Sequence, residues 1–102
     1  MNSPLSIVLH APDAEGLQRA RLNATNALTA DPQTEVRIIA NAAAVAVAIN
    51  SPNDETDNFT YLCPRTLESQ KLESRQPLKV LTEPAVLAMA RLQKLGVAYI
   101  RS

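Results

Sequence analysis

The sequence predicts an α/β domain built on a mainly parallel sheet of five strands. Three observations carry this. Short, β-branched apolar runs alternate with stretches of helical spacing, the pattern of βαβ units. Turn formers such as Pro12-Asp13, Asp31-Pro32 and Gln76-Pro77 fall between them. The 102 residues, 46 % hydrophobic and 20 % charged, suit one globular domain over 1–102 with a modest core.

Residues 5–10 make the first strand, because Ile7-Val8-Leu9 is the short apolar run of a buried parallel strand. Asp13 is placed to cap the helix that follows. Leu17, Ala20, Ala24 and Leu28 recur at helical spacing, with Arg21 the polar exception on that face. Asp31-Pro32 stops the helix, since a residue before proline avoids the α region. Residues 36–40 form the second strand, and Asn41 is a candidate N-cap. Residues 42–49 contain only Ala, Val and Ile. A helix apolar on every side is expected to be buried on every side, by the sheet and by a partner subunit. An extended segment is the competing reading.

Residues 50–58 read as a solvated loop of turn formers, its acids most simply surface groups. Residues 59–62 are the third strand, ending at Cys63. Pro64 suits a first helical position, so a short helix over Pro64–Gln70 is expected. Residues 79–81 are a fourth strand. Thr82 is expected to cap a last helix whose apolar members are Val86, Leu87, Ala90 and Leu92. Lys94 in its last turn and Gly96 at its end fit a C-terminus. Residues 97–100 are the fifth strand.

Composition removes several functions. Ten basic residues balance ten acidic ones, so no charge argument favours nucleic acid or an anionic membrane. Phe59, Tyr61 and Tyr99 are too few for base stacking. One cysteine cannot form an internal disulfide and suits a reducing compartment. The N-terminus lacks a signal-peptide pattern and no run reaches the roughly 20 apolar residues of a membrane span. A cytoplasmic protein with no membrane span is expected. The Asn23 and Asn58 sequons read as chance matches. With two glycines, the chain has no phosphate loop or dinucleotide fingerprint.

Ligands of open α/β sheets collect outside the carboxyl ends of the strands. His10, Asn41 and Cys63 fall there. Cys63 precedes a helix start and lies two residues before Arg65, both of which favour a thiolate. It can equally be a small buried hydrophobe, as free cysteines often are. His10 can orient or deprotonate a thiol, or be a satisfied strand-end residue. One Cys and one His fall short of a metal site.

Several segments resemble the small DsrE/DsrF-like proteins. They are Tyr61-Leu62-Cys63-Pro64-Arg65-Thr66-Leu67-Glu68, Val80-Leu81-Thr82-Glu83-Pro84-Ala85-Val86, and the closing Leu95-Gly96-Val97-Ala98-Tyr99-Ile100. Leu22-Asn23-Ala24-Thr25-Asn26-Ala27-Leu28 and Glu35-Val36-Arg37-Ile38-Ile39-Ala40 extend the likeness over nearly the whole chain. The resemblance implies a three-layer α/β/α sandwich and homo-oligomers, commonly trimers or hexamers. It also implies sulfane sulfur carried as a persulfide on Cys63, with sulfur donor and acceptor proteins as partners and no cofactor. His10 and Arg65 would tune the thiolate, and Asn41, Pro64 and Thr66 would line the substrate pocket. Asn41-Ala42 stands where the family often has His-Gly, Arg65 where it often has Asn, and Gln70-Lys71 in the region of an Arg-Gly. A non-catalytic oligomeric binding module is the alternative reading, and a nucleotide-binding domain a weaker third.

Overall fold

The computed structural model describes residues 4–102. Strand and helix alternate as the pattern requires: β1 (Ser6–Ala11), α1 (Ala14–Ala30), β2 (Glu35–Ala40), α2 (Ala43–Asn50), a 3-10 turn (Asp57–Phe59), β3 (Thr60–Leu62), α3 (Pro64–Gln70), β4 (Lys79–Val80), α4 (Ala85–Lys94) and β5 (Ala98–Arg101). Every strand pairing is parallel, and the sheet order is β4-β3-β2-β1-β5.

This order fixes the layers. β1, β2, β3 and β4 step in one direction, so right-handed crossovers put α1, α2 and α3 on one face. The β4-to-β5 connection runs back across the sheet and puts α4 on the other. The core divides accordingly. Leu9, Ile38, Ala40 and Leu62 pack with Leu17, Ala20, Ala24, Ala44, Val45 and Ala48, with Leu67 and Leu72 against them. Val8, Ile39 and Cys63 pack with Ala85, Ala88 and Met89 on the α4 side. The result is a three-layer α/β/α arrangement.

Capping chemistry explains the helix ends. Asp13 accepts from the Gly16 amide at 2.7 Å and opens α1. A Cβ at Gly16 would lie 2.9 Å from Pro12 Cδ and 3.1 Å from the Ser102 carbonyl, so glycine permits this close approach. Asp31 ends α1 in extended geometry, ahead of Pro32. α4 ends in a Schellman motif: the Gly96 amide donates to Gln93 and the Val97 amide to Leu92, with Gly96 at φ 93°.

Three expectations need correction. Thr82 does not cap α4; the N-cap position is Pro84, with no side-chain bond. The buried stripe of α4 is Ala85, Ala88 and Met89, while Val86, Leu87 and Ala90 are exposed. An apolar residue on nearly every side left the sequence no means of fixing the helix phase. Within the chain α2 buries Ala44, Val45 and Ala48 against the sheet and leaves Ala43 exposed. The 50–58 loop is not simply solvated, because Thr56 and Asp57 are buried. Asp57 sits between Arg75, at 2.9 Å, and Arg21, at 3.6 Å. Arg21, the polar exception on the α1 face, is therefore there for a buried carboxylate. Arg75 also donates to the Ala48 and Ile49 carbonyls at 2.8 Å, closing the C-terminus of α2 with a cation.

Candidate functional site

The carboxyl edge of the sheet assembles from short extensions of the strand ladder. Asn41 donates its amide to Ala11, Cys63 to Ala40, and Leu81 to Leu62, so the residues just past each strand stay in register. Cys63 is extended (φ −70°, ψ 123°), as the residue before a proline must be. Pro64 then starts α3 at the one helical position where a missing N–H costs nothing. Two ordinary restrictions of proline thus set the sulfur at the strand-to-helix step.

The neighbouring strand sharpens that placement. After β3 the chain leaves to one face through α3; after β4 it leaves to the other through α4. Adjacent strands whose connections diverge leave a crevice at their carboxyl ends, the usual ligand position in such sheets. Cys63 lies at this divide. Its Sγ accepts the Ala85 amide at 3.4 Å, from the first residue of α4. The backbone amides of Thr66 and Arg65 and the Thr66 hydroxyl lie close by, and their dipoles also favour the thiolate. Burial pushes the thiol pKa up, since only 6 % of Cys63 is exposed, but the Ala85 amide and these neighbouring dipoles together outweigh it and hold the thiol below its ordinary value.

Thr66 is oriented for this. Its Oγ1 accepts the Ala42 amide at 3.1 Å, which holds the hydroxyl in place near the sulfur. Ala42 adopts φ 49°, ψ −132° to present that amide, a conformation natural to glycine. Ala42, not Asn41, occupies the N-cap position of α2, and no side chain caps it. Arg65 is exposed and acts on Cys63 through its backbone rather than its guanidinium.

Asn41 has a different task. Its Oδ1 accepts from His10 Nε2 at 2.9 Å, which places the imidazole proton on Nε2. Nδ1 is then free to accept the Tyr99 hydroxyl at 2.6 Å. His10 and Tyr99 lie on adjacent strands, since β5 pairs with β1. Among the described residues no hydrogen bond joins His10 to Cys63. The carboxyl edge therefore holds two clusters: Cys63 with Thr66, Arg65 and Ala85, and His10 with Asn41 and Tyr99.

The sequence reading missed Ala85 and Tyr99. Both depend on strand order: Ala85 comes from 22 residues away by the β4–α4 connection, and Tyr99 from 89 residues away on the far strand. A groove of about 210 Å³ runs along the α4 face between Arg37, Ile39, Tyr61, Leu81 and Arg91. Its floor shares Ile39 and Ala88 with the apolar cluster around Cys63. A larger hollow, about 610 Å³, lies away from the cysteine, over Leu17, Arg21, Val47 and Asn53.

No helix among the described residues is long and apolar enough to cross a membrane. No group of three His, Cys, Asp or Glu side chains gathers among them as metal ligands would. Compared with known proteins, the chain matches no family model and no curated protein.

Proposed function

We propose that this chain carries sulfane sulfur as a persulfide on Cys63 and relays it between a donor and an acceptor. One observation carries the reading: the Cys63 sulfur, at the carboxyl edge of the sheet, accepts the Ala85 amide from the start of α4, which favours the thiolate. The resemblance to DsrE/DsrF-like proteins supplies the substrate. In the first step the Cys63 thiolate attacks the outer sulfur of a donor persulfide. The donor S–S bond breaks, a new S–S bond forms on Cys63, and the donor leaves as a thiolate that takes a proton from solvent. An acceptor thiolate then attacks the outer sulfur and releases Cys63 as the thiolate. No net oxidation occurs and no cofactor enters. Thr66 and the amides stabilise the thiolate both as nucleophile and as leaving group. On the same reading the protein is a cytoplasmic homo-oligomer, a trimer or hexamer.

Incubation with an inorganic polysulfide tests this. Intact-protein mass should rise by one sulfur on the wild type and stay unchanged on Cys63→Ala. An unmodified wild type would overturn the reading.

A second reading is a non-catalytic oligomeric binding module. The packing of Cys63 among Val8, Ile39, Ala88 and Met89 favours it, since that is the environment of a small core residue. On this reading Cys63→Ala leaves assembly and partner binding unchanged, and the wild type takes up no sulfur.

A further inference from the structure

We propose that the hollow between α1 and the end of α2 binds a small organic carboxylate, with its charged end on Arg21 and its apolar end over Leu22 and Val47. The hollow encloses about 610 Å³, within the roughly 300–1,000 Å³ of small-molecule sites. Its walls are of two kinds. Leu22, 61 % exposed, and Val47 are apolar, whereas Gln18, Arg21 and Asn53 carry donors.

Arg21 supplies the charge. It stands on the sheet-facing side of α1 with its side chain 13 % exposed. Its one ionic partner among the described residues is Asp57 Oδ1, at 3.6 Å, beyond hydrogen-bond reach. Asp57 spends its other oxygen on Arg75 at 2.9 Å and on the Asn53 amide at 3.0 Å. Two guanidinium groups thus share one carboxylate. Arg21 Nε and Nη2 are buried without a hydrogen-bond partner among the described residues. A guanidinium has five donors, so even a closer contact between Nη2 and Asp57 would leave most of them unused. Burial, with Arg75 adding to it, holds the Arg21 pKa below its ordinary value in spite of Asp57. The group still stays cationic at neutral pH.

Asn53 adds neutral donors. Its Oδ1 accepts the Thr56 amide at 3.1 Å and the Thr56 hydroxyl at 2.9 Å. These bonds fix the side-chain amide and leave Nδ2 for a ligand. Gln18 lies three residues before Arg21, hence on the same side of α1. Glu55 is the one acid on the rim. Its Oε2 takes the Thr25 hydroxyl at 3.5 Å, and it forms no ion pair with Arg21. Its charge opposes an anion, so the affinity is modest, about 1 mM. It also disfavours a dianion such as phosphate more than a monoanion. A planar carboxylate matches the guanidinium fork as well. The hollow lies away from Cys63, so this inference does not depend on sulfur chemistry.

Titration of the full chain with hexanoate, followed by the backbone amide resonances, tests this. Saturable shifts should centre on Gln18, Arg21 and Asn53, with half-saturation near about 1 mM. Acetate, which lacks the apolar body, should bind at least about tenfold more weakly. Hexanamide, which lacks the charge, should not bind. Arg21→Gln should remove binding. Arg21 also faces Asp57, so Gln18→Glu tests the site without disturbing that pair. This exposed substitution gives Arg21 a carboxylate on its own helix and should weaken hexanoate about tenfold. Glu55→Gln should tighten it about threefold. The proposal is overturned if no saturable shift is reached by about 20 mM hexanoate. Hexanamide binding as well as hexanoate, an unchanged affinity in Gln18→Glu, or a Glu55→Gln variant that binds no tighter would also overturn it.

Discussion

β3 is three residues long and carries a buried polar cluster at each end. At the amino end, Asp57 is closed between Arg75 and Arg21, and Arg75 is further spent on the last carbonyls of α2. At the carboxyl end, Cys63 accepts the Ala85 amide and lies near the dipoles of Arg65 and Thr66, with no formal charge set against it. The first cluster sets one buried carboxylate against two guanidinium groups, full charge against full charge. The second stabilises a negative charge that the sulfur acquires only on losing its proton. Burial alone does not separate the two, since both groups are nearly covered. The kind of partner does: opposite charges lock, whereas aimed dipoles tune.

The largest expected effect breaks the lock. Asp57→Ala leaves two partly buried guanidinium groups without their carboxylate and should cost about 3 kcal/mol in chemical denaturation. If the two ends are independent, the alkylation rate of Cys63 in the folded variant stays within about twofold of wild type. A large change in that rate would mean the ends are coupled.

Thr66→Val acts on the other end. It removes the acceptor of the Ala42 amide and a hydroxyl dipole near the sulfur, so stability should fall by about 1–2 kcal/mol. The thiol pKa should rise as well, and alkylation at neutral pH should slow. Unchanged reactivity would show that the hydroxyl serves only Ala42.

A smaller effect, of opposite sign, is expected at Ala42. Glycine accepts φ 49° without the steric cost that alanine meets, so Ala42→Gly should gain about 1 kcal/mol in thermal denaturation. The smallest effect is the pH linkage of the thiol. A pKa lowered in the folded state means that the unfolded chain binds more protons between that value and the ordinary thiol value of about 8.5. The stability of wild type relative to Cys63→Ala should therefore rise with pH through this window and level off above it. A difference that falls with pH would contradict the donor set.

Much of the fold is legible from local chemistry. Asp13, Asp31-Pro32, Pro64 and Gly96 each mark a helix boundary, because each acts on its own few residues. The position of Cys63 at the end of β3 is legible for the same reason: Pro64 excludes the α region before it and suits a helix start after it. What the sequence hides is lateral order. Nothing local states that β4 lies beside β3 or β5 beside β1, so the Ala85 and Tyr99 contacts appear only with the sheet assembled. Phase is hidden where a helix is apolar on most sides, as α4 shows. Charge pairing across long separations is hidden too: Arg21 and Asp57 each look misplaced until they are seen together.

The central claim is that the sulfur of Cys63 takes up and gives away a sulfur atom. The most direct test is intact-protein mass after loading with polysulfide, and again after addition of a thiol acceptor. The account expects one added sulfur on the wild type, its removal by the acceptor, and neither step in Cys63→Ala. A wild type that takes up no sulfur, or a Cys63→Ala variant that takes it up equally, would contradict it.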